Sequence, residues 1–147
     1  MEKIYVLNGP NLNLLGVREP SVYGKEDYKT LTKLCKDTAK SLGFKAVVYQ
    51  SNHEGDLVDK IHEAFFKGAC GIVINPGAYT HTSIALLDAI KGTSIPTVEV
   101  HISKVNEREE FRRHSFISPV AVKTIVGKGI NGYKEAIEFL TEYLEQR

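Results

Sequence analysis

Short apolar runs alternate along this chain with longer stretches whose apolar residues recur every three or four positions. The run Ile4-Tyr-Val-Leu7 predicts a strand, and Lys29 to Leu42 sets Leu31, Leu34, Cys35, Thr38 and Leu42 at helical spacing before Gly43 ends the helix. Phe44 to Gln50 reads as a second strand and Asp56 to Lys67 as an amphipathic helix stopped by Gly68. Cys70 to Asn75 is a continuous apolar run of the kind buried on both faces. A third helix is expected over Thr80 to Lys91, strands over Thr97 to His101 and Val122 to Val126, and a closing helix over Tyr133 to Gln146. Arg108 to His114 reads as a short helical turn.

Strands that alternate with helices imply right-handed crossovers and a parallel sheet. The expected class is therefore α/β, a flavodoxin-like doubly wound sheet of five parallel strands in the order 2-1-3-4-5, which suits this count better than a six-stranded dinucleotide fold. The 147 residues fit a single domain, 1–147, that buries roughly 68–70% of its unfolded surface. No linker, repeat or low-complexity tract divides it.

Charge narrows the partners. With 19 basic and 18 acidic side chains the formal net charge is +1, too weak a field to argue for nucleic acid or an anionic membrane. A small molecule is the expected partner. Cys35 and Cys70 have no metal or redox spacing and read as reduced core residues. The amino terminus carries no cleavage pattern, and no stretch approaches about 18 consecutive apolar residues. The expectation is a soluble, unprocessed, cytoplasmic protein.

In such a sheet the loops at the carboxyl ends of the strands line the ligand crevice. Polar residues gather there: Asn8 and Asn11 after the first strand, Asn75, Gly77 and His81 after the third, His101 and Ser103 after the fourth. Asn8-Gly-Pro and Asn75-Pro-Gly also serve as turn chemistry, and His81 also reads as a cap or surface histidine. In Val98-Glu99-Val100-His101 the alternation puts Glu99 and His101 on one face, where a carboxylate orients an imidazole for acid catalysis. The loop from Asn8 to Gly24 carries Arg18 and Tyr23, a guanidinium close to a phenol. Arg108 and Arg112, four apart, share a helical face, as do Glu109 and Arg113 in a solvated ion pair; Arg112, following the His101-Ile-Ser103 loop, is the candidate to meet a hydroxylated or anionic ligand, with Arg108 a second basic candidate. Asp88 stands two turns beyond His81, and spacing alone makes it a surface carboxylate.

Gly127-Lys-Gly-Ile-Asn-Gly132 matches a pyrophosphate-binding pattern, but it follows the last strand, so no later strand end remains to hold a ribose. A tight turn is the expectation there, and cofactor-free chemistry the economical one. Two other classes fit the fold less well. A flavin-binding electron carrier wants a hydroxyl-rich loop where this chain has Pro10-Asn-Leu-Asn-Leu-Leu, and a phosphoacceptor receiver domain wants an acidic cluster where it has Asn8, Asn75 and His101.

Four segments form a recognisable set: Asn8 to Gly24, Gln-Ser-Asn-His-Glu-Gly (50 to 55), Asn-Pro-Gly-Ala-Tyr-Thr-His-Thr-Ser (75 to 83), and Glu99 to Ser115. Together they strongly resemble type II 3-dehydroquinate dehydratase over essentially the whole chain. That resemblance implies a reversible anti elimination of water from 3-dehydroquinate through an enolate, without Schiff base, metal or other cofactor, in the shikimate pathway. It implies Tyr23 as base at C2, His101 as acid toward the C1 hydroxyl, Glu99 orienting the imidazole, Arg18 stabilising the ionised base, and Asn11 holding a water at the enolate. The backbone of Ile102 and Ser103 is implied in carboxylate binding, with Asn75, His81 and Arg112 at the ring hydroxyls and Gly77 among the substrate-binding residues. Trimers are implied to assemble into a homododecamer in which Asp88 reaches a neighbouring subunit's site.

The chemistry sets a physical demand. Moving a phenol from about 10 to about 7 takes about 4 kcal/mol. A cation at about 4 Å supplies about 1 kcal/mol in water but about 4 at an effective dielectric near 20. A loop over roughly residues 12 to 24 is therefore expected to close on the ligand, mobile when the site is empty.

Overall fold

The computed structural model describes residues 1–23 and 25–147; Gly24, the end of the expected closing loop, lies outside the described residues. The strands β1 (Glu2–Asn8), β2 (Phe44–Gln50), β3 (Gly71–Asn75), β4 (Thr97–His101) and β5 (Lys123–Val126) form one parallel sheet in the order β2-β1-β3-β4-β5, as the alternation predicts. Between them lie the single turn α1 (Pro20–Tyr23) and the helices α2 (Tyr28–Ser41), α3 (Glu54–Phe66), α4 (Ile84–Thr93) and α5 (Asn131–Glu145).

Side-chain alternation along each strand feeds two cores. Ile4 and Val6 of β1, Val73 of β3 and Val98 and Val100 of β4 pack with α2 and α5, while Tyr5, Leu7, Ile72 and Ile74 pack with α3 and α4. The central strands are therefore apolar on both faces, the physical reason that β3 is an unbroken apolar run. α2 begins where Asp27 Oδ1 accepts from Thr30 N at 2.8 Å, and α4 where Ser83 Oγ accepts from Leu86 N at 2.9 Å. The third helix thus starts later than its pattern suggests, because residues Gly77–His81 form a separate 3-10 turn. α5 lies so close to β3 that a Cβ on Gly71 would stand 2.5 Å from Leu140 Cδ2. Among the described residues no helix is long and apolar enough to cross a membrane.

The glycine pattern after β5 is a turn, as expected. Gly127 N donates to the His101 carbonyl at 3.1 Å and Gly129 N to that of Ile102 at 3.2 Å, both glycines at positive φ. A Cβ on Gly132 would meet Val100 Cγ2 at 3.2 Å, so this glycine seats α5 against the sheet. Those amides are already engaged and do not cradle a phosphate.

Candidate active site

Two similar loops interlock at the carboxyl edge of the sheet. Gly9 N donates to the Asn75 carbonyl at 2.8 Å, and a Cβ on Gly9 would lie 2.3 Å from the Pro76 carbonyl oxygen. At Gly77, with φ +61°, a Cβ would lie 3.0 Å from the Pro10 carbonyl oxygen. Asn-Gly-Pro after β1 and Asn-Pro-Gly after β3 are thus one joint in which glycine is the only residue that fits. Gln50 and Asn52, at the end of β2, fasten the start of the first loop: Gln50 Nε2 donates to the Gly9 carbonyl at 3.1 Å, and Asn52 Oδ1 accepts from Asn11 N at 3.0 Å. Asn11 is held at φ 70°, a left-handed conformation that asparagine tolerates.

The joint opens onto a cavity of about 200 Å³ lined by Asn11, Arg18, Tyr23, Asn75, Gly77, His81, His101, Ile102, Ser103, Arg108 and Arg112, together with Pro10, Leu12, Ala78 and Val105. Eleven of the fourteen residues singled out from sequence line this one space. Glu99 stands behind His101, and Asp88 is exposed on α4 beside a separate shallow recess with His62, Phe65 and Phe66. A second, more open cavity of about 400 Å³ adjoins the first and shares Tyr23, Ile102, Ser103 and Arg108 with it.

Asn8 is placed differently from its expectation. It is 0% exposed and lies beneath the cavity, accepting from Tyr133 Oη at 2.6 Å and donating from Nδ2 to Tyr28 Oη at 3.4 Å. Tyr133 also accepts from Asn75 Nδ2 at 3.0 Å, while Asn75 Oδ1 accepts from Gly77 N at 3.1 Å. One phenol on α5 therefore braces both asparagines, and burial pushes that phenol well above its ordinary range. Sequence reasoning took Tyr133 as a helix start; only its buried face of α5 hinted otherwise.

The phenol of Tyr23 meets two guanidiniums. Arg108 Nη1 donates to its oxygen at 2.9 Å, and the Arg18 Cζ lies over its ring at 4.6 Å while pairing with Glu19 at 3.5 Å. The cation on the oxygen is thus Arg108, 85 residues away in sequence, and Arg18 takes the ring face. The segment that carries Arg108 is not the single helical turn expected. Two 3-10 turns, Val105–Glu107 and Glu110–Arg112, are separated by extended backbone at Arg108 and Glu109, so Glu109 pairs with Arg112 instead of Arg113.

Across the cavity His101 Nε2 lies 2.5 Å from Glu99 Oε2, both side chains almost wholly buried, as the strand alternation predicts. Burial alone would raise the Glu99 carboxyl, but hydrogen bonds and charge from His101, with hydroxyls from Ser118 and Ser115, outweigh it and hold the group below its ordinary range. Ser115, Ser118 and Thr124 had no expected role. His81 Nδ1 lies 2.7 Å from the His114 carbonyl, which only accepts, so Nδ1 carries the proton and Nε2 keeps its lone pair. Burial lowers the His81 pKa, the His114 carbonyl opposes that, and the nearby His101 and Arg112 lower it further. A neutral acceptor at His81, a phenol under two cations and a braced imidazole suit proton transfer on a polyhydroxylated ring.

Residues 2–141 match the family model for dehydroquinase class II. The chain is 56% identical over 143 residues to a 3-dehydroquinate dehydratase of Rhodopseudomonas palustris strain TIE-1, covering 97% of this chain and 95% of that one. It is 51% identical over 145 residues to one of Caldicellulosiruptor bescii, covering 99% and 100%. The fold superimposes on a type II dehydroquinase from Butyrivibrio crossotus with a TM-score of 0.93 at 54% identity over 95% of this chain and 97% of that one. For the enzyme from Propionibacterium acnes the TM-score is 0.92 at 39% identity, with 97% of each chain covered.

Proposed function

The chain belongs to the class II dehydroquinase family, and we propose that it carries out the dehydration of 3-dehydroquinate to 3-dehydroshikimate by anti elimination through an enolate. A hydro-lyase acting on 3-dehydroquinate follows from membership; the residue roles are the reading that the site supports. The observation that carries it is the pairing within one cavity of a phenol held by Arg108 at 2.9 Å with a histidine held by Glu99 at 2.5 Å.

Tyr23, as phenolate, takes the proton from C2, and the electron pair moves to the C3 carbonyl oxygen as enolate. Collapse of the enolate forms the C1–C2 double bond and expels the C1 hydroxyl, which leaves as water with a proton from His101. Arg108 at the oxygen and Arg18 over the ring place positive charge where negative charge develops in the reaction. Asn11 holds the water that supports the enolate, and the amides of Ile102 and Ser103 bind the substrate carboxylate. Asn75, His81 and Arg112 bind ring hydroxyls, with His81 accepting through Nε2, and Gly77 lines the same substrate pocket. Residues 12 to 23 close over the bound ligand. In this reading the protein is cytoplasmic, needs no cofactor, and serves biosynthesis. Trimers assemble into a homododecamer that seats the exposed Asp88 at a neighbour's site; the adjacent Phe66, 83% exposed, supports a covered face there.

A flavin-binding carrier is not favoured: the matching family model and the curated relatives are dehydroquinases, and the loop after β1 has Pro10-Asn-Leu-Asn-Leu-Leu where a hydroxyl-rich phosphate cradle is needed. The test is Tyr23→Phe, followed by enone absorbance on added 3-dehydroquinate. Ligand affinity should persist while turnover disappears; substantial residual turnover reassigns the base. Borohydride should leave the native enzyme active, and inactivation would point to an imine route.

A further inference from the structure

Glu99 is 0% exposed, yet both of its oxygens meet donors. Oε2 accepts from His101 Nε2 at 2.5 Å and Ser115 Oγ at 2.8 Å, and Oε1 from Ser118 Oγ at 2.6 Å and Thr124 Oγ1 at 3.2 Å. A carboxylate offers about four acceptor positions; His101, Ser115 and Ser118 fill three, and the fourth faces Thr124 Oγ1, whose single proton is shared with Ser118 Oγ at 3.3 Å. The Ser115 proton is also committed. Ser115 Oγ receives the amides of Ile117 at 3.0 Å and Ser118 at 3.1 Å, so its own proton is left for Glu99. A protonated Glu99 would have to displace one of these donors. The arrangement therefore favours the anion, which is costly to bury unless donors surround it.

We propose that Ser118, with Ser115 and Thr124, is a positioning residue for the protonation step: the hydroxyls keep Glu99 anionic and fixed, so that the His101 ring holds its Nε2 bond and delivers a proton from Nδ1. The direction of the Glu99 pKa, below its ordinary range, agrees with this geometry. The turn at 115–118 and β5 present only hydroxyls to the carboxylate. The charged or titratable groups bearing on the pair from elsewhere are His81 and, beside it, Arg112. Register explains how the cage forms: Glu99 of β4 pairs with Thr124 of β5. The inference rests on His101 being the acid proposed above.

The experiment compares Ser118→Ala, Ser118→Thr, Thr124→Val and His101→Ala by kcat and KM across pH. Ser118→Ala should lower kcat about tenfold, the scale of a hydrogen bond to a charged group, with KM within about twofold. The alkaline limb of kcat should move to lower pH, because a weaker anion supports imidazolium less, while the acid limb stays. Ser118→Thr should restore both. Thr124→Val should act in the same direction more weakly, its bond being 3.2 Å against 2.6 Å, and it carries the test on the edge strand if Ser118→Ala does not fold. If His101→Ala abolishes turnover while the hydroxyl variants leave kcat and the alkaline limb unchanged, the cage is overturned and the acid stands. If His101→Ala leaves kcat intact, the acid assignment falls and this inference with it.

Discussion

Removing the Tyr133 hydroxyl probes the buried network beneath the cavity. The side chain is 0% exposed, donates to Asn8 at 2.6 Å and accepts from Asn75 at 3.0 Å, and both asparagines are themselves buried. Phenylalanine keeps the ring and its apolar burial, so the change isolates the two hydrogen bonds. An orphaned buried polar group costs about 1–3 kcal/mol. Each amide keeps one other tether, Asn8 to Tyr28 at 3.4 Å and Asn75 to the Gly77 amide at 3.1 Å, which puts each loss toward the lower end. The expected total is about 2–3 kcal/mol, a large part of a typical 5–15 kcal/mol stability, and a fall in Tm of about 5–10 °C. Urea unfolding at fixed protein concentration reads the stability, and steady-state kinetics read the site. Because Asn75 would present its remaining N–H less rigidly, KM should rise severalfold with a smaller change in kcat. A loss under about 0.5 kcal/mol with unchanged KM would refute the bracing role. Tyr28→Phe is the internal comparison: its 3.4 Å bond should be worth under about 1 kcal/mol.

Arg108→Gln should lower kcat/KM by roughly two orders of magnitude, a loss inside the about 1–4 kcal/mol a cation contributes at this range, and Arg18→Gln should cost less; the reverse order would restore Arg18 as the main partner of the phenol. Gly9→Ala forces a Cβ to within 2.3 Å of the Pro76 carbonyl, backbone against backbone, and should abolish cooperative folding; a native melting profile would show that the loop joint yields. Since Glu99 titrates below its ordinary value of 4.5, its stabilisation is complete above that pH and is lost as pH falls through the lower folded value. Stability measured from neutral to acid pH should therefore fall more steeply below 4.5 in the native protein than in Glu99→Gln, and parallel curves would sink the linkage.

Local patterns carried much of this protein. Two-residue and 3.6-residue periodicities are properties of neighbouring positions, so strand order, the double-sided sheet and the shared face of Glu99 and His101 were legible in the chain, as were most residues at the cavity. Contacts between distant segments were not. Whether Arg18 or Arg108 touches the Tyr23 oxygen depends on where the 105–112 segment breaks, and extended backbone at Arg108 and Glu109 has no periodic signature. Asn8 looked like a crevice residue because its position at a strand end is local information, whereas its burial under α5 is not. Ser115, Ser118 and Thr124 come from 16 to 25 positions beyond Glu99, and only β4–β5 register and the turn before β5 turn ordinary hydroxyls into the cage of one carboxylate. The chain encodes which faces are apolar; packing those faces decides which polar groups meet.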